Sequence, residues 1–220
     1  LLDVLGLLSA CSYALDCVEA ELVHVSDKHA KRVAYMSVCM AEQLGISGES
    51  LQDLAACALL HDNALTQYIQ EELHKDVANA PQASQVGIHC TLGEKNIQRL
   101  PFHTDVKNVI LYHHENYDGT GYPANLAGEK IPFGARILRI CDVYCALTSD
   151  RPYRSAFPRE QAMELMTEEV KNFDLKMFLA FQRVIHSGSR KAIELSDVDE
   201  LIQEIIKDLC FFNVASLHFL

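Results

Sequence analysis

Two pairs of adjacent residues carry the strongest chemical signal in this chain. His113 and His114 end one apolar run, and His61 and Asp62 end another, which spans residues 51–60. Imidazole nitrogen and carboxylate oxygen together are the ligands that first-row transition metals bind in proteins. The two pairs therefore favour a metal-dependent hydrolase as the first hypothesis.

A loop containing glycine and proline follows the two adjacent histidines directly. It spans residues 115–132 and includes Gly121, Tyr122 and Pro123. Loops held by a rigid scaffold are common places for substrate contacts. Spacing alone favours a simple tight turn at residues 118–121, so a substrate role depends on the position of the loop beside the metal ligands.

Composition narrows the class of protein. Apolar residues make up 49% of the 220, with only 10 glycines and 6 prolines, which predicts one domain with a full core and a short appendage. The net charge of −11 argues against binding to duplex nucleic acid.

Eight cysteines without a C-x-x-C pair predict buried free thiols rather than a zinc ribbon. No signal peptide or membrane-spanning stretch is recognisable, so we expect a cytoplasmic protein.

Apolar residues recur with helical spacing almost throughout, and no run alternates as a strand would. The pattern predicts an all-α fold, a compact bundle of several helices. Helices are expected over residues 1–22, 27–44 after a cap at Ser26, from Ser47 or Ser50 to 62, 84–100, 104–114, 133–147, 158–172 and from Ser196 onward. Residues 63–83 are ambiguous.

The order of these motifs resembles the HD-GYP domain, a branch of the HD phosphohydrolase superfamily that hydrolyses the bacterial second messenger cyclic di-GMP. The resemblance spans roughly residues 15–157 and includes the flanking segments Ile-Pro-Phe-Gly-Ala-Arg-Ile-Leu and Ala-Leu-Thr-Ser-Asp-Arg-Pro-Tyr-Arg. Its motifs are His-Ala-Lys-Arg-Val at His29, His61-Asp62, His-Cys-x-x-Gly at His89, His113-His114, Gly121-Tyr122-Pro123 and Asp-Val-Tyr at Asp142. The implied architecture is an HD-type bundle around a central dinuclear metal site.

The resemblance also implies the metal ligands. Two divalent ions are expected, and Fe or Mn suits a histidine-rich site better than Mg. His29, His61, Asp62 and Asp142 would hold one ion, and Asp62, His89, His113 and His114 the other. Asp62 would bridge the ions and act as the catalytic carboxylate. A hydroxide bridging the metals would then open cyclic di-GMP to pGpG, with GMP as a further product.

Five residues are implied as substrate contacts: Gly121, Tyr122, Pro123, Arg151 and Arg154. Tyr122 could stack on a guanine, and the loop amides could meet a phosphate. Either arginine could instead pair with acidic neighbours.

Three positions depart from the pattern of the family. Members commonly continue as HD-x-G-K, but Leu65 stands in place of the lysine. Losing one charged contact to a transition state costs about 10²–10³ in rate, so activity is expected to be reduced. Val25 replaces a glutamate of three-metal members, which predicts two metals. Cys145 replaces a second aspartate and puts a supporting hydrogen bond in doubt.

Several functions therefore stay open. The chain could be an active cyclic di-GMP phosphodiesterase, a catalytically weak module that binds nucleotide or a signalling partner, or an HD hydrolase of another nucleotide. We assign residues 1–188 to the phosphohydrolase domain and 189–220 to a C-terminal amphipathic helix that packs on the core or on a partner. A homodimer and an upstream sensory domain are both compatible with this organisation.

Overall fold

The computed structural model describes residues 4–23, 28–65, 67 and 87–186. Within these ranges the chain forms seven α-helices and no β-strand. Two isolated β-bridges pair Asp118 with Ala127 and Arg151 with Arg154. The helices are α1 (Val4–Val23), α2 (His29–Gln43), α3 (Glu49–Leu59), α4 (Ile88–Ile97), α5 (Phe133–Leu147), α6 (Arg159–Glu168) and α7 (Leu175–His186). Short 3₁₀ turns span Gly128–Lys130 and Val170–Asn172. The all-α prediction is confirmed.

Helix α2 lies at the centre of the bundle. Every residue from His29 to Ala41 is buried, because α1, α3, α5 and α7 all pack against it. The buried guanidinium of Arg32 donates hydrogen bonds to Ser149 Oγ at 2.5 Å and to Thr148 Oγ1 at 2.6 Å. These bonds tie α2 to the end of α5, the helix that carries Asp142.

Most predicted helices are confirmed, with shifted ends. Helix α5 has the predicted bounds, whereas α2 begins at His29 and α3 begins after Gly48. The predicted helix after Pro158 ends at Glu168 and continues as a 3₁₀ turn. Helix α7 was not predicted. The predictions for Ser26, most of residues 63–83 and residues 189–220 fall outside the described residues.

The predicted helix over residues 104–114 is wrong. Residues 107–114 form consecutive turns, and Asn108 has a positive φ of 65°, which an α-helix cannot contain. The buried carboxylate of Glu94 on α4 accepts from the backbone N–H of Asn108 at 2.6 Å and of Leu111 at 3.2 Å. The Glu94 carboxylate thus takes the place of the carbonyl acceptors that a helix would supply. Helical periodicity in the sequence cannot predict such a contact, because Glu94 belongs to a different segment of the chain.

The described cysteines are all free thiols. Five of them are buried, as expected for small core residues. No α-helix in the described ranges combines the length and the hydropathy required to cross a membrane. Helix α1 buries Leu5 and Leu8 in the core of the bundle while Leu7 stays exposed, so its apolar face packs internally.

Candidate metal centre

The seven predicted metal ligands lie in the described residues and meet in the bundle interior. They come from five separate segments of chain. Helix α2 contributes His29, the turn after α3 contributes His61 and Asp62, the first turn of α4 contributes His89, residues 107–114 contribute His113 and His114, and α5 contributes Asp142.

One cluster comprises His29, His61 and Asp142, all buried. One ligand atom from each lies within 4.8 Å of the others. His29 Nε2 lies 3.1 Å from Asp142 Oδ1, and the His29 and His61 ring centroids are 5.3 Å apart. Such spacing lets one cation contact all three groups.

A second cluster comprises His89, Cys90, His113 and His114, whose ligand atoms also lie within 4.8 Å of one another. The ring centroids of His113 and His114 are 3.9 Å apart, and those of His89 and His114 are 5.1 Å apart. Cys90 is an addition that the sequence interpretation missed. Its signal was its place beside His89 in the His-Cys-x-x-Gly motif.

Asp62 lies between the two clusters. Its Oδ2 atom is 3.3 Å from His61 Nε2, and its Oδ1 atom is 3.7 Å from His89 Nε2 and 3.6 Å from His113 Nε2. One oxygen therefore faces each cluster, which is the arrangement that a bridging carboxylate requires.

The hydrogen bonds of two histidines direct their Nε2 atoms into the centre. His61 Nδ1 donates to Ala58 O at 2.9 Å, and His113 Nδ1 donates to Ile110 O at 2.5 Å. A carbonyl only accepts, so Nδ1 carries a proton in both rings. Both Nε2 atoms are buried without a hydrogen-bond partner among the described residues. Buried polar atoms of this kind are costly unless a ligand satisfies them, and a divalent cation fits them.

Electrostatics in the centre favour cations. Burial opposes a charge on His61, but Asp62 and Asp142 raise the pKa of His61 to about 10. Burial also opposes the ionised form of Asp62, yet His61 and His113 hold the pKa of this carboxyl well below its usual range. Burial and the adjacent His113 lower the pKa of His114 well below its ordinary value. Burial likewise opposes the ionised form of Asp142, but His29 holds its pKa below the ordinary value. Both carboxylates thus stay ionised near neutral pH and are available as ligands.

Close packing at Gly93 holds the second cluster against Asp62. A Cβ atom on Gly93 would lie 3.1 Å from Ile110 Cγ2 and 3.2 Å from Asn63 Nδ2. Asn63 Nδ2 donates to Leu60 O at 2.8 Å and to Gly93 O at 3.2 Å. The residue following the His61-Asp62 pair therefore clamps that turn onto α4, which carries His89 one turn earlier.

The loop containing Gly121 is held against the adjacent histidines. A Cβ atom on Gly121 would overlap the backbone of Glu115 and Asn116, so only glycine fits there. The buried Glu115 carboxylate accepts from the backbone N–H of Ala124 at 2.6 Å and of Leu126 at 3.1 Å. Glu115 is a structural residue of the site that the sequence interpretation missed; its signal was an acidic residue directly after two ligands.

Tyr122 and Pro123 reach the second cluster from this loop. Tyr122 N donates to His114 O at 3.3 Å, and the Tyr122 and His114 ring centroids are 4.9 Å apart. Pro123 packs on Gly87, the residue before α4. An aromatic ring and a backbone loop therefore lie beside the candidate metal ligands.

Comparison with known proteins is consistent with this geometry. A family profile described as HD domain matches residues 16–177. The chain belongs to the HD-domain family. Within it, the chain falls in the HD-GYP branch, as its motifs predicted.

Two curated relatives of this HD domain act on cyclic dinucleotides according to their names. A cyclic di-GMP phosphodiesterase of Pseudomonas aeruginosa is 32% identical over 164 residues, covering 71% of this chain and 38% of that protein. The 3′3′-cGAMP-specific phosphodiesterase 3 of Vibrio cholerae is 32% identical over 161 residues, covering 72% of this chain and 35% of that protein. The chain thus spans 35–38% of the length of these two relatives.

A solved structure supports the fold. The crystal structure of a cyclic GMP-AMP-specific phosphodiesterase of V. cholerae matches with a TM-score of 0.61 at 18% identity, covering 89% of this chain and 53% of that chain. At this identity the match shows a shared HD-domain fold.

The HD domain has no cation at the position of the usual lysine. Leu65 is half-buried there, and its backbone N–H donates to Asp62 O at 2.9 Å. Cys145, in place of the second aspartate, is fully buried in the core. Val25 lies outside the described residues.

The two predicted arginine contacts differ in their surroundings. Arg154 donates from its guanidinium to the carbonyls of Ala146, Leu147, Ser149 and Ser155 at 2.7–3.2 Å and lies 4.7 Å from the Phe157 ring. These bonds cap the C-terminal end of α5 and favour a structural role for Arg154. Arg151 pairs with Arg154 through backbone hydrogen bonds, and its substrate role stays a prediction.

Arg139 is a further cation of the HD domain that sequence reasoning missed. It precedes Asp142 by three residues on α5, a spacing that puts both on one helix face. Its Nε donates to Asn116 Oδ1 at 3.0 Å. Burial raises the pKa of Tyr122 above its ordinary value, and the nearby guanidinium of Arg139 partly opposes that rise. Arg139 therefore brings positive charge to the loop beside the second cluster.

Proposed function

We propose that this HD domain is a metal-dependent phosphodiesterase that hydrolyses a cyclic dinucleotide, with cyclic di-GMP as the first candidate substrate. The observation that carries the proposal is the position of Asp62, one carboxylate oxygen facing each histidine cluster at 3.3–3.7 Å. The names of relatives at about 30% identity support the substrate class. The whole-protein activity of those longer relatives is assigned to this chain only as a proposal.

The residues would divide between two cations. His29, His61, Asp62 and Asp142 would hold one, and Asp62, His89, His113 and His114 the other. When bound, two divalent ions acidify water and neutralise charge that develops on a phosphate. The unpartnered Nε2 atoms of His61 and His113 support this role. We propose Fe or Mn as the resident metals on the basis of the imidazole and carboxylate donors.

The loop would position the nucleotide. Tyr122 presents its ring beside His114, where a guanine could stack on it. Gly121 lets the loop approach the backbone of the ligand-bearing segment closely. Glu115 holds that loop through two backbone N–H groups, which reduces the ordering needed when substrate binds.

Arg139 would take over the charge contact that the missing lysine supplies elsewhere in the family. A guanidinium can donate two parallel hydrogen bonds to a phosphate. The bond from Arg139 Nε to Asn116 orients the group, and no Nη bond to a described residue competes for a phosphate. Arg139 thus provides positive charge next to Tyr122 while Leu65 provides none.

A second candidate is a metal-containing module that binds a cyclic dinucleotide or a signalling partner with little turnover. Leu65 favours it, because the charge that assists the transition state is absent from that position. An HD hydrolase of another nucleotide is the third alternative. The first product, pGpG, and a further step to GMP distinguish the proposed reaction from both.

Turnover by the purified chain tests the proposal. The protein is purified without oxygen, loaded with Fe²⁺ or Mn²⁺, and incubated with cyclic di-GMP or 3′3′-cGAMP; Asp62→Ala removes the bridging group, and Asp105→Ala is a control at an exposed aspartate. We expect pGpG from cyclic di-GMP with the native chain and Asp105→Ala, and none with Asp62→Ala. No product from either nucleotide at full metal occupancy would overturn the enzyme assignment and leave binding.

A further inference from the structure

We propose that Cys90 is a thiolate ligand of the cation held by His89, His113 and His114. The inference rests on the proposed function in one respect, since it assumes that the histidine clusters bind metal. It adds a sulfur donor to a centre whose other donors are imidazole and carboxylate.

The position of the sulfur is the first support. Cys90 Sγ lies 3.4 Å from His89 Nε2, and it falls within 4.8 Å of ligand atoms from the three histidines. Two ligands that lie about 2.1 Å and about 2.3 Å from a shared ion are roughly 3.1 Å apart at a right angle and roughly 3.6 Å apart at the tetrahedral angle. The observed separation lies between these limits, so one ion can bind both atoms.

The surroundings of the thiol are the second support. Of the five buried cysteines in the described residues, the other four belong to the main cluster of contacting hydrophobic side chains, and Cys90 lies outside that cluster. Cys141 Sγ, for example, faces Met40 Sδ at 4.0 Å. Cys90 is fully buried yet faces an imidazole. A small apolar filler does not need that environment.

The competing explanation is a hydrogen bond from the thiol to His89 Nε2. In that arrangement the lone pair of His89 Nε2 accepts the thiol proton and is not available to a metal. In the ligated arrangement the thiol proton leaves to solvent as the metal–sulfur bond forms, and both atoms bind the ion. The two arrangements exclude each other, which makes them separable by experiment.

A sulfur donor changes which metals the second site prefers. Thiolate is a soft ligand that favours Zn²⁺ and Fe²⁺, whereas Mn²⁺ and Mg²⁺ favour oxygen donors. We therefore expect the native chain to bind Mn²⁺ less tightly, relative to Fe²⁺ or Zn²⁺, than Cys90→Ala does. A thiolate at this site thus favours Fe over Mn as the resident metal, and Zn²⁺ would compete with Fe for the same site.

Titration of the metal-free chain with Co²⁺ under anaerobic conditions tests the ligand. Visible d–d bands report that Co²⁺ occupies the histidine sites, and a sulfur-to-cobalt charge-transfer band in the near ultraviolet reports a thiolate. We expect both in the native chain. Cys90→Ala should lose the charge-transfer band and keep d–d bands, whereas Cys57→Ala, a matched change at a buried core thiol, should keep both.

X-ray absorption of the Zn²⁺-loaded native chain gives a measurement that needs no variant. A sulfur at about 2.3 Å from zinc, besides nitrogen and oxygen at about 2.0–2.1 Å, is the expected result. Bound Co²⁺ or Zn²⁺ without a sulfur signal would overturn the Cys90 ligand and leave the metal centre intact. A charge-transfer band that persists in Cys90→Ala would also overturn it, because the sulfur would then come from another cysteine. If neither metal binds, the proposed metal centre fails, and this inference fails with it.

Discussion

The carboxylate of Asp62 reaches the ring of His113 from a distant part of the chain: Asp62 Oδ1 lies 3.6 Å from His113 Nε2. The other oxygen, Oδ2, lies 3.3 Å from His61 Nε2. Both imidazole nitrogens are buried without a hydrogen-bond partner among the described residues. One carboxylate thus separates two positions suited to a cation, so a change at Asp62 should affect both.

Replacing Asp62 by asparagine should remove metal as well as activity. Asparagine keeps the shape of the side chain but loses the charge that a bridging ligand supplies. We expect bound metal to fall from about two ions to about one or fewer per chain, and turnover to fall by at least about 10²–10³-fold. Elemental analysis and product formation measure the two effects. Asp105→Asn is the surface control, and two retained ions in Asp62→Asn would contradict the bridging role.

Removal of the Arg139 guanidinium should slow turnover without removing metal. Loss of one charged contact to a transition state predicts a fall in kcat of about 10²-fold for Arg139→Ala. Arg139→Lys should retain part of the rate, because it keeps the charge but not the planar fork. Arg183→Ala removes an exposed arginine of α7 and serves as the control. Unchanged kcat in Arg139→Ala would remove this residue from the proposed site.

Introducing lysine at position 65 should add the missing charge. If Arg139 now supplies that contact, Leu65→Lys should raise kcat more in the Arg139→Ala background than in the native chain, by about 10-fold or more. A double-mutant cycle with four kcat values measures this coupling. Equal effects in both backgrounds would show that the two positions act independently.

Alanine at position 121 should disturb the fold and the substrate loop together. Its Cβ would overlap the backbone of Glu115 and Asn116, which predicts a loss of about 3 kcal/mol or more in the free energy of unfolding. Gly128→Ala is a matched control, since Gly128 has open space around it and a positive φ of 63°, a conformation that costs alanine about 1–2 kcal/mol.

Urea unfolding gives the stability of each variant, and KM for cyclic di-GMP reports the position of Tyr122. We expect KM to rise in Gly121→Ala and to stay unchanged in Gly128→Ala. Equal stability losses in the two variants would argue that the contact of Gly121 with the ligand-bearing segment is dispensable.

Chelation of bound metal should destabilise the native chain. A ligand that binds only the folded state stabilises it by about 2.7 kcal/mol when its free concentration is 100 times its Kd. The Tm should therefore fall on addition of a chelator and rise again as Mn²⁺ or Fe²⁺ is returned. Asp62→Asn should show a smaller shift than the native chain. A Tm that is independent of metal in both proteins would contradict metal binding inside the bundle.

Sequence patterns were sufficient for the helical class, for α5 with both of its ends, and for the set of histidines and aspartates that meet in the interior. Helical periodicity reports which face of a segment is buried, so it locates long amphipathic helices well. The HD domain could be identified from the motifs because the types of the ligand residues, and their order along the chain, can be read directly from the sequence.

Tertiary contacts decided the rest. Residues 107–114 form turns because the Glu94 carboxylate binds two of their backbone N–H groups. Arg154 lies among backbone carbonyls, whereas Arg139 lies beside Asn116. Cys90 faces a histidine, whereas the other buried cysteines pack in the main hydrophobic cluster. Residue type sets which interactions a side chain can make. The packing of distant segments determines which of those interactions it does make, because the competing partners are remote in sequence and close only in the folded chain.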